Sequence, residues 1–134
     1  MRIRPVLVLA LLVALATPSA ANAAFRQFAM PSGNIVCGGD TRFLRCDILH
    51  HSWHAPKKPR SCEFDWGNTL EVGLRGKGRF GCVSDAIDPG RELSYGESIA
   101  RGRFRCRSRR SGMRCVNSRN GHGFALSRER VRRF

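Results

Sequence analysis

Arg101 to Arg109 sets a guanidinium at every second position, the spacing of a strand face built to meet negative charge. Read as one strand, Arg101, Arg103, Arg105, Arg107 and Arg109 share a face, and Gly102, Phe104, Cys106 and Ser108 share the other. Ser111-Gly112 supplies a turn, so Met113 to Asn117 returns antiparallel. Placing Cys106 opposite Cys115 sets Phe104 against Asn117, Ser108 against Met113 and Arg107 against Arg114. The candidate anion-binding set is therefore Arg101, Arg103, Arg105, Arg107, Arg109 and Arg114. A solvated face is the plainer alternative, because charges on an exposed strand block edge-to-edge association and arginine stems cover apolar surface. The chain has 21 Arg and 3 Lys, a bias that GC-rich coding also produces, so Arg over Lys says little about bidentate recognition.

The six cysteines offer a second chemistry. Cys37/Cys46 and Cys106/Cys115 are both spaced C-x8-C around turn residues, and pairing neighbours adds Cys62 with Cys82. In the loop-entropy model the two short loops contribute roughly 2.7 kcal/mol each and the longer one roughly 3.3 kcal/mol. Zinc is the competing use of cysteine, and the sequence has no CxxC pair to support it.

Other reactive residue types are scattered. His50, His51 and His54 precede a Pro/Lys loop and allow either a metal site or a polar loop with Trp53 folded onto the core. Ser84, Asp85 and His122 have the types of a hydrolytic triad without a GxSxG elbow. His122 between two glycines reads as a turn histidine, with a positioned acid/base as the rival. Asp85 and Asp88 lack an EF-hand loop around them, and Gly121-x-Gly123 lacks the dinucleotide pattern. No metal, cofactor or catalytic residue is assigned.

The elements that must position these groups are short. Ile35 to Cys37 and Phe43 to Ile48 read as a hairpin, with Ile35 falling opposite Ile48 when Cys37 faces Cys46. Leu70, Val72 and Leu74 alternate with Glu71 and Gly73, Arg79 to Val83 returns, and Phe124 to Leu126 forms a last strand. Ser127 caps a predicted short helix through Phe134. The whole predicts an all-β, disulfide-stapled sandwich or barrel of about six to eight short strands with a short C-terminal helix.

The first 23 residues have the marks of a bacterial export signal: Arg2 and Arg4, an apolar run from Val6 to Ala16, and Ala21-Asn22-Ala23 before cleavage near Ala23/Ala24. That run is short of the ~20 residues needed to span a bilayer. Residues 24–134 then form one domain, secreted or periplasmic, where disulfides persist. Its charge is lopsided, with 10 basic and 9 acidic residues from Ala24 to Ala100 but 12 basic and one acidic from Arg101 to Phe134. Such asymmetry points to an acidic partner.

The ordered motifs SGNIVC, RCDI, DWG, C-x-SD, YG-x-S and GHGF followed by LSRE resemble an uncharacterised family of small exported bacterial domains over Phe28 to Phe134. The resemblance implies export and a cysteine-stapled domain, and brings no catalytic residues with it. The resulting expectation is a non-enzymatic binding module whose basic C-terminal quarter contacts an anionic envelope polymer, a lipid surface or nucleic acid. The alternatives are a protein-binding module or inhibitor using the Trp53–Pro59 loop and Trp66, and an envelope enzyme using His122.

Overall fold

Two antiparallel hairpins, each tied by a disulfide, lie at the centres of two sheets. The computed structural model describes residues 25–134; the expected export signal, residues 1–23, lies outside them. The first sheet contains β1 (Arg26–Ala29), β2 (Ile35–Gly39), β3 (Phe43–Ile48), β4 (Thr69–Gly73), β5 (Arg79–Phe80) and β6 (Arg91–Glu92). Their order across the sheet is β5-β4-β3-β2-β1-β6, and β6 runs parallel to β1. The second sheet contains β7 (Ser98–Arg101), β8 (Phe104–Arg109), β9 (Gly112–Asn117), β10 (Gly123–Leu126) and β11 (Val131–Arg133), in the order β11-β10-β9-β8-β7.

Alternation decides which side chains meet. Ile35, Cys37, Leu44, Cys46, Ile48, Leu70 and Val72 from the first sheet pack with Phe104, Cys106, Met113, Cys115, Phe124 and Leu126 from the second, all nearly inaccessible to solvent. The bridges are Cys37–Cys46, Cys62–Cys82 and Cys106–Cys115, the neighbouring pairs anticipated from spacing. Sγ of Cys46 lies 3.7 Å from Sγ of Cys115, so the two hairpin staples touch through the middle of the core. Cys37, Cys46 and Cys115 bring sulfurs together, yet each is oxidised in a bridge and presents no thiolate to a metal. Three disulfides in so small a fold argue for an oxidising, non-cytoplasmic compartment.

The sheets are joined by a polar tie as well. Asn117, fully buried, donates from Nδ2 to the carbonyls of Gly73 (3.1 Å) and Leu74 (3.3 Å) at the end of β4, and accepts from the Arg119 amide (3.1 Å).

The expected strands are joined by others, giving eleven among the described residues, and the predicted C-terminal helix is absent. Ser127 Oγ accepts the Arg130 amide at 3.1 Å, the bond a helix cap would make, while the Ser127 amide donates to the Arg130 carbonyl at 2.8 Å. The second bond closes a hairpin instead, and Val131–Arg133 satisfies the edge of β10 that a helix would leave bare.

The β2–β3 turn is held by Asp40. Burial opposes its ionisation, but the Arg42 amide, the Arg42 guanidinium and the Phe43 amide all donate to it, and its pKa lies below the ordinary aspartate value. A carboxylate whose native pKa is lowered stabilises the fold above its unfolded pKa and loses that contribution as pH falls through the native one. Asp40→Ala is thus expected to cost about 2 kcal/mol at neutral pH, with the difference from wild type shrinking in acid. Denaturant unfolding at pH 7 and pH 3 checks this; a deficit that does not change with pH contradicts it.

Candidate anion-binding face

The two sheets differ in what covers them. The outer side of the first is occupied: Phe25 lies over Gly38, Ile87 packs with Ala29 and Val36, and the arginines are paired. Arg45 forks onto Asp47 (Nε at 3.0 Å, Nη2 at 2.9 Å) and reaches Asp85 through its carboxylate at 3.6 Å and its carbonyl. The hydrogen bond to Asp47, working against burial, raises the Arg45 pKa above its ordinary value. Arg79 pairs with Glu71 at 2.7 Å.

The outer side of the second sheet carries a different surface. One row across its strands reads Ser98, Arg107, Arg114, Ala125 and Arg132, in direct register. The next reads Ala100, Arg105, Val116 and Gly123, with Phe134 opposite Gly123 through reciprocal backbone hydrogen bonds. Arg109 stands opposite Gly112 in a third. Arg105, Arg107, Arg109, Arg114 and Arg132 are exposed, and none takes part in a salt bridge among the described residues. Arg107 faces Arg114 across β8 and β9, a like-charge pair that destabilises a sheet unless something screens it. Along β8 the guanidinium-bearing positions repeat about every 6.7 Å, and adjacent strands lie about 4.8 Å apart.

Two shallow depressions flank the Arg107–Arg114 pair. One, of about 190 Å³, runs between Arg107, Arg109, Arg114 and Arg132 over a floor that includes Gly112 and Ala125. The other, of about 240 Å³, lies between Arg105, Arg107, Arg109 and Arg114 beside Ser98 and Val116. Gly123 is required where β10 closes on β9, since a Cβ there would fall 2.0 Å from the Cys115 carbonyl oxygen. Arg114 rests on the Phe134 ring at 4.4 Å, which fixes a long side chain without spending its hydrogen-bond donors.

Of the six anticipated arginines, the structure gathers Arg105, Arg107, Arg109 and Arg114 on this face and removes two. Arg101 ends β7, and Gly102 (φ +55°) with Arg103 forms a two-residue turn into β8. Arg101 therefore stands opposite Phe104, on the inward side of the sheet. Arg103 sits in the turn, its carbonyl accepting from the Ser118 amide and hydroxyl at 2.8 Å each. Arg132 joins the face unannounced, because β11 stands where a helix was expected; the alternation Val131-Arg132-Arg133 after a Ser turn was its only sequence signal.

The remaining candidates do not converge. Asp85 lies at Arg45 against the first sheet, whereas His122 belongs to the β9–β10 turn; no hydrogen bond joins either to Ser84. His51 stacks on Trp53 at 3.5 Å with both ring nitrogens engaged, by the Trp53 carbonyl and Asn68 Oδ1, each at 2.8 Å. The indole N–H of Trp53 donates to Ser127 O and that of Trp66 to Pro56 O, both at 2.8 Å, so both rings anchor the loop to the fold.

A family model described as a family of unknown function (DUF6636) matches residues 7–134. No curated protein and no solved structure matches the chain.

Proposed function

We propose a function for a chain that belongs to this family of unknown function: an exported, non-enzymatic module that binds an anionic polymer of the cell envelope through the outer face of its second sheet. One contrast carries the reading. Arg45 and Arg79, on the outer side of the first sheet, have carboxylate partners, while the five exposed arginines on the outer face of the second sheet have none among the described residues. Arginines left unpaired and in register, over a floor of Ala, Gly and Val, leave their planar donors free for phosphate or carboxylate groups on a repeating chain. The export signal expected in residues 1–23 and the three disulfides direct the search to the envelope rather than to cytoplasmic nucleic acid.

The test compares two triple variants of equal charge. Replacing Arg107, Arg114 and Arg132 with Ser is expected to weaken binding of poly(glycerol phosphate) about tenfold or more and to shrink the salt slope by roughly two, at about 0.7 per lost contact. Replacing Lys57, Lys58 and Arg75 with Ser, all outside the second sheet, is expected to leave most of the affinity in place. Equal losses in the two variants would mean that net charge alone is at work. Single-stranded DNA and anionic vesicles, titrated in parallel, report whether a different polyanion or a lipid surface is preferred.

A further inference from the structure

Three other arginines stand where alternation assigns interior residues. Arg26 lies two residues before buried Phe28 on β1, and Arg91 is the register partner of Phe28 on β6. Arg101 is the register partner of buried Phe104. β6 and its neighbour β1 form one lateral edge of the first sheet, and β7 is an edge of the second. All three side chains thus leave their strands on the side that faces the opposite sheet, at a lateral mouth of the sandwich. Leu93, fully buried, and Ile99 belong to the core behind them. The turn after β7 is fixed against the first sheet: a Cβ on Gly102 would lie 3.2 Å from Thr41 Cγ2, in the same β2–β3 turn that follows Gly39, the partner of Arg26.

Arg101 is incompletely satisfied. Its Nη1 donates to the Ala100 carbonyl at 2.8 Å, but among the described residues its buried Nε has no hydrogen-bond partner and no carboxylate pairs with it. Asp40 nearby is taken up by Arg42 at 3.2 Å. Among the described residues Glu97 is the one acid paired with the group, through Arg91 at 3.0 Å. Three guanidinium groups less one carboxylate leave two positive charges uncompensated. We propose that this lateral mouth is an oxyanion site for a phosphoryl dianion, gripped by Arg101 and closed by Arg26 and Arg91. Burial, followed by Arg26 and Arg91, holds the Arg101 pKa below its ordinary value, the penalty that a bound anion relieves. A tetrahedral dianion matches the charge and accepts from the guanidinium N–H groups that the Ala100 carbonyl leaves free. The site is independent of the polymer-binding face, because Arg101 projects from the opposite side of the second sheet.

The experiment is a titration of the oxidised protein with inorganic phosphate, followed through arginine Nε–H resonances. A saturable, one-site shift of the Arg101 signal is expected, with affinity about tenfold lower in Arg101→Gln and unchanged in the Arg107/Arg114/Arg132→Ser variant. No saturable shift in the wild type, or equal affinity in Arg101→Gln, overturns the site; loss in the sheet-face variant overturns its independence. Should Arg101→Gln not fold, Arg26→Ser with Arg91→Ser, two exposed positions, must lower phosphate affinity by a similar factor, and unchanged affinity there is equally fatal. Vesicles bearing a phosphomonoester headgroup tell the sources apart: capture that depends on Arg101 assigns a lipid phosphate, and binding of the free ion alone a soluble one.

Discussion

Replacing Cys106 alone with Ser is expected to disturb the protein more than replacing Cys106 and Cys115 together. Either change removes a staple, at a cost of about 2–5 kcal/mol in a small exported domain. The single variant also leaves the Cys115 thiol 3.7 Å from Cys46 Sγ, itself half of the other hairpin bridge. A thiolate at that position attacks Cys46, forms a Cys46–Cys115 bond, breaks Cys37–Cys46, and leaves the displaced electron pair and ultimately the proton on Cys37. In the closed fold Cys115 is fully buried in apolar surroundings that keep a thiol protonated, so exchange waits for the core to open. Heating and cooling the single variant should therefore accumulate an inter-sheet bridge and a free Cys37, seen by non-reducing peptide mapping, alongside a broadened melt. The Cys106→Ser/Cys115→Ser double variant should melt lower than wild type but as one species. Quantitative retention of Cys37–Cys46 in the single variant after repeated thermal cycles would refute the exchange.

Asn117→Asp is expected to be the most damaging isosteric change in the molecule. The side chain is fully buried, and its amide donates to two carbonyls of the opposite sheet. Aspartate replaces that donor by an oxygen facing Gly73 O and Leu74 O, so an ionised form is both desolvated and repelled. The loss at neutral pH should be about 3 kcal/mol or more, combining unsatisfied acceptors with a buried charge. Burial raises the native pKa of the new carboxyl above its unfolded value, so the variant is penalised at high pH and recovers as pH falls and the group stays protonated. Even then one hydroxyl cannot serve both carbonyls as the amide does. Denaturant unfolding at pH 4 and pH 7 tests it; a deficit that is the same at both, or below about 1 kcal/mol, rules out the polar tie as described.

Much of the frame was legible because alternation and turn residues agree. Once Cys37 faces Cys46 and Cys106 faces Cys115, the registers Ile35–Ile48, Phe104–Asn117, Ser108–Met113 and Arg107–Arg114 follow, and the strands adopt them. The alternation misled at Arg101. A two-residue turn places the residues before and after it on the same face, so Arg101 shares its side with Phe104, whereas a continuous strand would group it with Arg105. Only Gly102, suited to positive φ, marked the break. The C-terminal helix failed for a related reason. A serine bonded to the amide three residues on serves a helix cap and a tight turn alike, and the bare edge of β10 chose between them. The convergence of Arg26, Arg91 and Arg101 was not readable, because it depends on which sheet edges stack.

The contrast between a clad sheet and a bare one gives the molecule an electrical direction. Asp47, Asp65 and Asp85 line a hollow of about 340 Å³ beside the first sheet, with Leu49 and Phe64 exposed nearby, while the unpaired arginines point the other way. Such a separation is a permanent dipole, and a dipole nearing a charged boundary experiences a torque before it makes a contact. Approach to a negatively charged wall would be orientated, arginine side first, with tumbling suppressed over roughly a Debye length of about 8 Å at physiological salt. An adsorbed layer of this protein would then cover a polyanionic surface with aspartate-lined hollows, largely neutralised by Arg45, and two apolar side chains per molecule.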